Sequence, residues 1–397
     1  MKEGWEYKKL DDVCTIVGRI GFRGYTKADL VKSSKDGAIT LSPSNIIDGE
    51  IDFSKCTYIK WDKYYESPEI MLENGDIVIV KTASIGKCAV VKNLPHEATL
   101  NPQFVVLKQL VGVPDFICYY LRSSIAQNTL KQMAGGVAIP TLSQKKLGMM
   151  IVPTPSQEEQ QSIVDYLDAA FAKIDAMKAN AENALNEAKA LFQAELKEML
   201  EPKEGWEEKT LKDVSVIYGN YGLSVPSTEF NGVRYLRITD ITEWGDLNDE
   251  KVSAKLDEEK KQELLEEGDI LFARTGATVG KTLMYKEAFG KCLFAGYLIR
   301  YRVNKEIVLP KFVFYITHSD NYYKWVLENQ KAAAQPNISA KLYNEYNVSY
   351  PPLSEQQSIV DTLDSLKSKV DRLQANYDKI SQECDALKQA ILRQVFE

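Results

Sequence analysis

The chain has 397 residues, 44% apolar and 26% charged, with a net charge of −7. These values suit a folded protein with room for two ordinary domains and more, and they exclude a disordered or fibrous chain. No apolar run is long enough for a membrane span, and the first residues lack the apolar core of a signal peptide, so a cytoplasmic location is expected.

The first lobe, 1–155, opens Gly4-Trp5-Glu6-Tyr7-Lys8-Lys9-Leu10-Asp11-Asp12-Val13. Short apolar runs over Ile77–Val80, Cys88–Val91 and Phe104–Leu107 predict strands, the first launched from a Gly75-Asp76 turn. Asp76 is expected to cap that turn. A helix is predicted from Pro114 to Met133. From 156 to 200 the chain predicts one long helix, entered through Pro155-Ser156. Its apolar residues Leu167, Phe171, Ile174, Met177, Ala181, Ala184, Ala188 and Leu191 predict a seam.

The second lobe, 201–352, repeats these landmarks in order. Gly205-Trp206-Glu207 answers to Gly4-Trp5-Glu6, and Gly268-Asp269-Ile270 to Gly75-Asp76-Ile77. Pro336 and Ser339 answer to Pro140 and Ser143. Strands are predicted at Tyr235–Ile238, Ile270–Ala273 and Leu298–Val303, and a helix from Pro310 to Asn329. A second long helix, 353–397, begins Leu353-Ser354-Glu355-Gln356, with Ser354 expected to cap it. Its stretch Gln356 to Asp364 matches Gln160 to Asp168 at seven or more of nine positions. Its apolar residues (Leu363, Leu366, Val370, Leu373, Tyr377, Ile380, Cys384, Leu387, Ile391) alternate in steps of three and four, a heptad seam.

The chain is thus a tandem duplication of a lobe followed by a long helix. The predicted fold is α+β: two lobes with mainly antiparallel sheet, joined by long helices that pair as an antiparallel coiled coil, with pseudo-twofold symmetry. The helices carry the acidic excess, −5 and −2, while the lobes stand at +3 and −3. Nearly neutral lobes neither suggest nor exclude nucleic-acid binding. Six scattered cysteines without a Cys-x-x-Cys spacing read as reduced, mostly buried thiols.

Several segments bear on chemistry. Thr275-Gly276-Ala277-Thr278-Val279-Gly280-Lys281 superficially looks like a phosphate-binding P-loop, but its glycines enclose three residues where that motif needs four. The other copy, Thr82 to Lys87, is shorter by one, so a turn between strands is favoured over a nucleotide site. Lys81, Thr82, Ser84 and Lys87, and Arg274, Thr275, Thr278 and Lys281, are candidate DNA contacts. Hydroxyls and amines suit phosphates, and Arg or Lys suits guanine edges. A solvated hairpin reads the same way. Basic and aromatic residues also interleave at Arg19, Arg23 and Tyr25, at Tyr221, and at Arg234 and Arg237, in loops that suit a groove or plain solvent. Two histidines at non-corresponding places, and no methyltransferase tetrapeptide, leave no catalytic or metal-binding set.

Taken together, these duplicated motifs resemble the specificity subunit of type I restriction–modification systems, over the full length. The resemblance implies two target-recognition domains, each reading half of a split site in double-stranded DNA. It implies two long helices that fix the gap and dock two methyltransferase (modification) subunits, joined by motor-nuclease (restriction) subunits. It implies no cofactor on this chain, S-adenosylmethionine being carried by the methyltransferase, and no catalytic residue. A coiled-coil assembly scaffold that binds proteins alone is the alternative; it leaves the divergent lobes unexplained.

Overall fold

The computed structural model describes residue 2 and residues 4–135, 140–255, 264–330 and 336–397. The chain forms two compact units. One comprises Met1–Ala181 with Tyr377–Glu397, the other Glu182–Asn376.

In the first unit, strand Ile77–Val80 lies between Phe104–Lys108 and Cys88–Val90, with Thr15–Val17 beyond Phe104–Lys108, all antiparallel. In the second unit, Ile270–Ala273 lies between Leu298–Val303 and Thr282–Met284, with Ser215–Tyr221 beyond Leu298–Val303, again antiparallel. Both central strands are apolar at every position because both faces of the sheet are covered. Ile77 and Ile79 face one core, with Phe116 and Leu121, while Val78 and Val80 face another, with Ile39 and Leu41. Ile270 and Phe272 separate from Leu271 and Ala273 in the same way. The sheets are mainly antiparallel, as expected. Each lobe also holds a parallel pair, Ala98–Leu100 with Gly37–Leu41 and Arg234–Leu236 with Cys292–Phe294.

The Gly-Trp-Glu openings become closing strands. Glu6–Lys9 pairs with Ile151–Thr154, and Glu207–Thr210 with Asn347–Tyr350, so each lobe is shut just before its long helix. Trp5 packs edge-on to Phe116 and Phe396, and Trp206 to Phe312.

Each predicted mid-lobe helix is in fact two: Pro114–Arg122 and Ser124–Met133, then Pro310–Ile316 and Asp320–Asn329. Ser123 and Ser319 are extended, and their hydroxyls accept from Ala126 N and Tyr322 N. A serine that caps a new helix ends the old one.

The long helices span Gln157–Leu200 and Leu353–Phe396, 44 residues each. At 1.5 Å per residue each is about 66 Å long. Ser156 caps the first, accepting from Glu159 N at 3.2 Å. Ser354 does not cap the second, which already begins at Leu353; there the Pro352 carbonyl accepts from Glu355 N and Gln356 N. In the first unit the helices run antiparallel: Asp175 meets Lys388 and Lys178 meets Asp385. In the second, Lys189 meets Gln374.

The seams differ from the heptad reading. Met177, Leu191 and Leu387 are about half exposed, at 59%, 55% and 48%. Leu185, Phe192 and Leu196 are buried instead, as are Leu392 and Val395. A helix of 3.6 residues per turn drifts from a 3.5 repeat, so the inward stripe moves to the next residue. Lysine stems join it: Lys388 lies over the Phe171 ring at 5.5 Å.

Candidate nucleic-acid interface

The two mid-lobe turns share one backbone scaffold. Lys81 N donates to Gln103 O at 2.8 Å, and Arg274 N to Tyr297 O at 3.0 Å. The carbonyls of Lys81 and Arg274 accept from Leu142 N and Ile338 N. Two residues on, Ala83 and Gly276 occupy the left-handed region at φ 66° and 71°, and their N–H groups donate to Pro140 O and Pro336 O. Gly276 suits that conformation, whereas Ala83 carries its steric cost. Ser143 and Ser339 then cap short helices, accepting from Lys146 N and Leu342 N. The paired landmarks of the sequence are therefore hydrogen-bonded neighbours. Each turn leads into a strand, Cys88–Val90 or Thr282–Met284, and not into the helix whose N-terminus a P-loop requires.

The turn of the second lobe gathers a cluster. Arg274 lies over the Tyr221 ring at 5.0 Å, and its Nε donates to Asn337 Oδ1 at 3.3 Å. Tyr221 accepts from Ala340 N through its hydroxyl. Tyr297, which the sequence reading missed, stands beside them at 59% exposure. An aromatic directly after Ala295-Gly296 in a turn was its signal. Thr278 Oγ1 donates to Thr275 O, and Lys281 is partly exposed. In the first lobe Ser84 and Lys87 are exposed, Lys81 and Thr82 half-buried, and Lys87 Nζ donates to Pro43 O.

Other candidates belong to the interior. Arg19 is 7% exposed and donates to Leu100 O, Arg23 O and Ser67 Oγ, with its guanidinium over Tyr25. Arg234 is 5% exposed and donates to the carbonyls of Asn248 and Glu250. Both hold loops to strands, and a groove cannot reach them. Thr275 is 7% exposed and bridged to Asn337. Arg23 pairs with Glu69, and Arg237 with Asp240 and Glu250, so these surface cations are already engaged. Tyr25 shares a hydrogen bond with Thr40.

Asp76 and Asp269 cap their turns as expected, accepting from Glu73 N and Glu266 N. Each also holds a cation from the neighbouring strand, which the sequence reading missed. Lys108 Nζ stands 2.6 Å from Asp76, and Arg302 grips Asp269 at 2.7 and 3.0 Å. The helix-start motif has a packing role. Gln160 accepts from Val113 N and donates to Pro155 O; Gln356 accepts from Leu309 N and donates to Pro351 O. Asp168 and Asp364 accept from the hydroxyls of Tyr119 and Tyr315. The motif clamps each long helix to the short helix of its own lobe.

Among the described residues no cluster of His, Cys, Asp or Glu could hold a metal ion, and no helix is long and apolar enough to cross a membrane. His96 bonds the Ser34 carbonyl, while His318 is buried and stacked on Trp244. All six cysteines are free thiols.

Each half of the chain is thus an α+β lobe, shut by its own terminal strands and clamped to a long helix. The chain belongs to the type I restriction modification DNA specificity domain family, which matches it twice, over residues 2–187 and 203–382. It is 24% identical to the StySPI specificity subunit of Salmonella potsdam and 26% identical to the EcoKI specificity subunit of Escherichia coli K12. In each case the match covers 100% of this chain and 89% of the relative. In fold it resembles a chain from a type I R-M system solved in work on complex assembly and conformational transition. That likeness has TM-score 0.74 at 21% identity, covering 100% of this chain and 98% of the other. The HsdS subunit from Thermoanaerobacter tengcongensis is similar at TM-score 0.54 and 22% identity, covering 99% and 96%. The sequence-based assignment to a non-catalytic specificity subunit agrees with this membership.

Proposed function

We propose that the chain reads a split target in double-stranded DNA, lobe 1–155 one half-site and lobe 201–352 the other. The observation that carries this reading is the pair of turns. Their backbone scaffold is the same, yet the side chains around it differ, Gln103 in one lobe and Tyr297 in the other. A retained scaffold with changed side chains suits one job done on two sequences. The long helices fix the gap and dock two methyltransferase subunits, which bring S-adenosylmethionine; restriction subunits complete the assembly in the cytoplasm. Half-exposed Met177, Leu191 and Leu387, with Tyr166 at 54%, offer apolar anchors for such partners.

Base-resolved methylation sequencing tests the reading, on genomic DNA from cells with and without this gene beside its neighbouring methyltransferase. A gene-dependent motif of two short half-sites around a constant unspecified gap is expected. No difference, with the methyltransferase expressed, rejects it.

A further inference from the structure

We propose that Lys81 and Arg274, equivalent residues of the two lobes, each hold a backbone phosphate of the DNA, in a contact that does not depend on base sequence. This deepens the split-target reading and rests on it.

The two positions are rigid and alike. Each residue's own N–H and carbonyl are hydrogen-bonded across to Gln103 and Leu142, or to Tyr297 and Ile338. The left-handed residue that follows pins the turn to Pro140 or Pro336. The head groups, in contrast, lack a counter-charge among the described residues. Among the described residues Lys81 Nζ has no hydrogen-bond or ionic partner. Arg274 uses only Nε, toward Asn337 Oδ1, while the Tyr221 ring supports the plane of its guanidinium; Nη1 and Nη2 have no partner among the described residues. The cations at the other end of the same strands, Lys108 and Arg302, are paired with Asp76 and Asp269. A partly buried cation without an anion is unfavourable, and a phosphate oxygen supplies what is missing. Burial alone pushes the Lys81 ammonium pKa down, as an uncompensated charge requires.

The duplication favours a phosphate over a base. The neighbours have changed from Gln103 to Tyr297 and from Ala83 to Gly276, but the cation has stayed. Two lobes reading different bases share what is common to all DNA, the phosphodiester. Lysine and arginine both serve a phosphate, so the exchange between the lobes keeps the contact.

The test uses the full chain assembled with its methyltransferase. Binding is measured from 50 to 200 mM salt, on a duplex carrying the split motif found by methylation sequencing and on one lacking it. Arg274→Gln and Lys81→Gln are each expected to flatten the slope of log affinity against log salt by about 0.9, so that the loss over this range is about 3.5-fold smaller. Binding should weaken on both duplexes while the methylated motif stays the same. Arg274→Lys should restore the slope, which a merely structural role would not produce. An unchanged slope in both glutamine variants overturns the proposal. So does a motif relaxed within one half-site, which would make the residue a base reader. If the unaltered complex shows no motif preference, the split-target reading fails first.

Discussion

The most consequential single residues are polar groups placed where water does not reach. His318 stacks on Trp244 at 5.0 Å, and its Nδ1 bonds the Phe314 carbonyl. Burial pushes its pKa down to about 4, helped by Lys367 and opposed by that carbonyl and by Asp246. The unfolded imidazole protonates near pH 6.5 and the folded one not until about 4, so stability is complete above 6.5 and falls as pH drops between these values. The loss should be about 3 kcal/mol. Unfolding measured at pH 7 and pH 4.5 should reveal it, and His318→Phe, which keeps the stack, should reduce it. Asp269 is fully buried beneath Arg302. Asp269→Asn should cost about 3 kcal/mol by removing the buried carboxylate that Arg302 grips and leaving that guanidinium only the exposed Glu266, read as a lower unfolding midpoint with the denaturant slope unchanged.

Among the elements, the joint between lobe and long helix uses a glutamine beside the Asp364 contacts to Tyr315 and Lys311. Gln356 accepts from Leu309 N and donates to Ile307 O and Pro351 O. Gln356→Leu removes all of these and leaves the partly buried Leu309 N–H without its partner at the start of helix Pro310–Ile316. The expected cost is about 1–3 kcal/mol. Hydrogen exchange should quicken at Leu309 and in the first turns of both helices, while the central sheet stays protected. The equivalent Gln160→Leu should act in the same way on helix Pro114–Arg122. The seams follow a different rule. Met177 and Leu191 read as seam residues by hydrophobicity, yet the inward positions belong to Phe192 and to lysine stems. Met177→Lys and Leu191→Lys should therefore leave unfolding almost unchanged, within about 0.5 kcal/mol. If the docking proposal holds, they should weaken assembly with the methyltransferase.

At the level of the whole molecule, the proposed role of the long helices is to set the gap. Four residues inserted into both add about 6 Å of helix. The unspecified gap should then lengthen by one to two base pairs in methylation sequencing, with both half-sites retained. A gap of unchanged length would remove the helices from that role.

The duplication, the main strands and the long helices were readable from the order of residues, because repetition and local periodicity are one-dimensional properties. So were the turn caps Asp76 and Asp269, whose partners lie three residues away. The candidate interface was readable only as a surplus. Lys81 and Arg274 look no different on paper from Arg19 and Arg234, which the fold spends on carbonyls of distant loops. Which cation is consumed inside and which is left without a partner depends on strands brought together from far apart in the chain. The seam drift has the same origin, whereas the serine breaks in the mid-lobe helices are local, each cap lying three residues from its partner. Hydrophobicity marks which residues prefer burial, but packing against a particular neighbour decides which of them reach it.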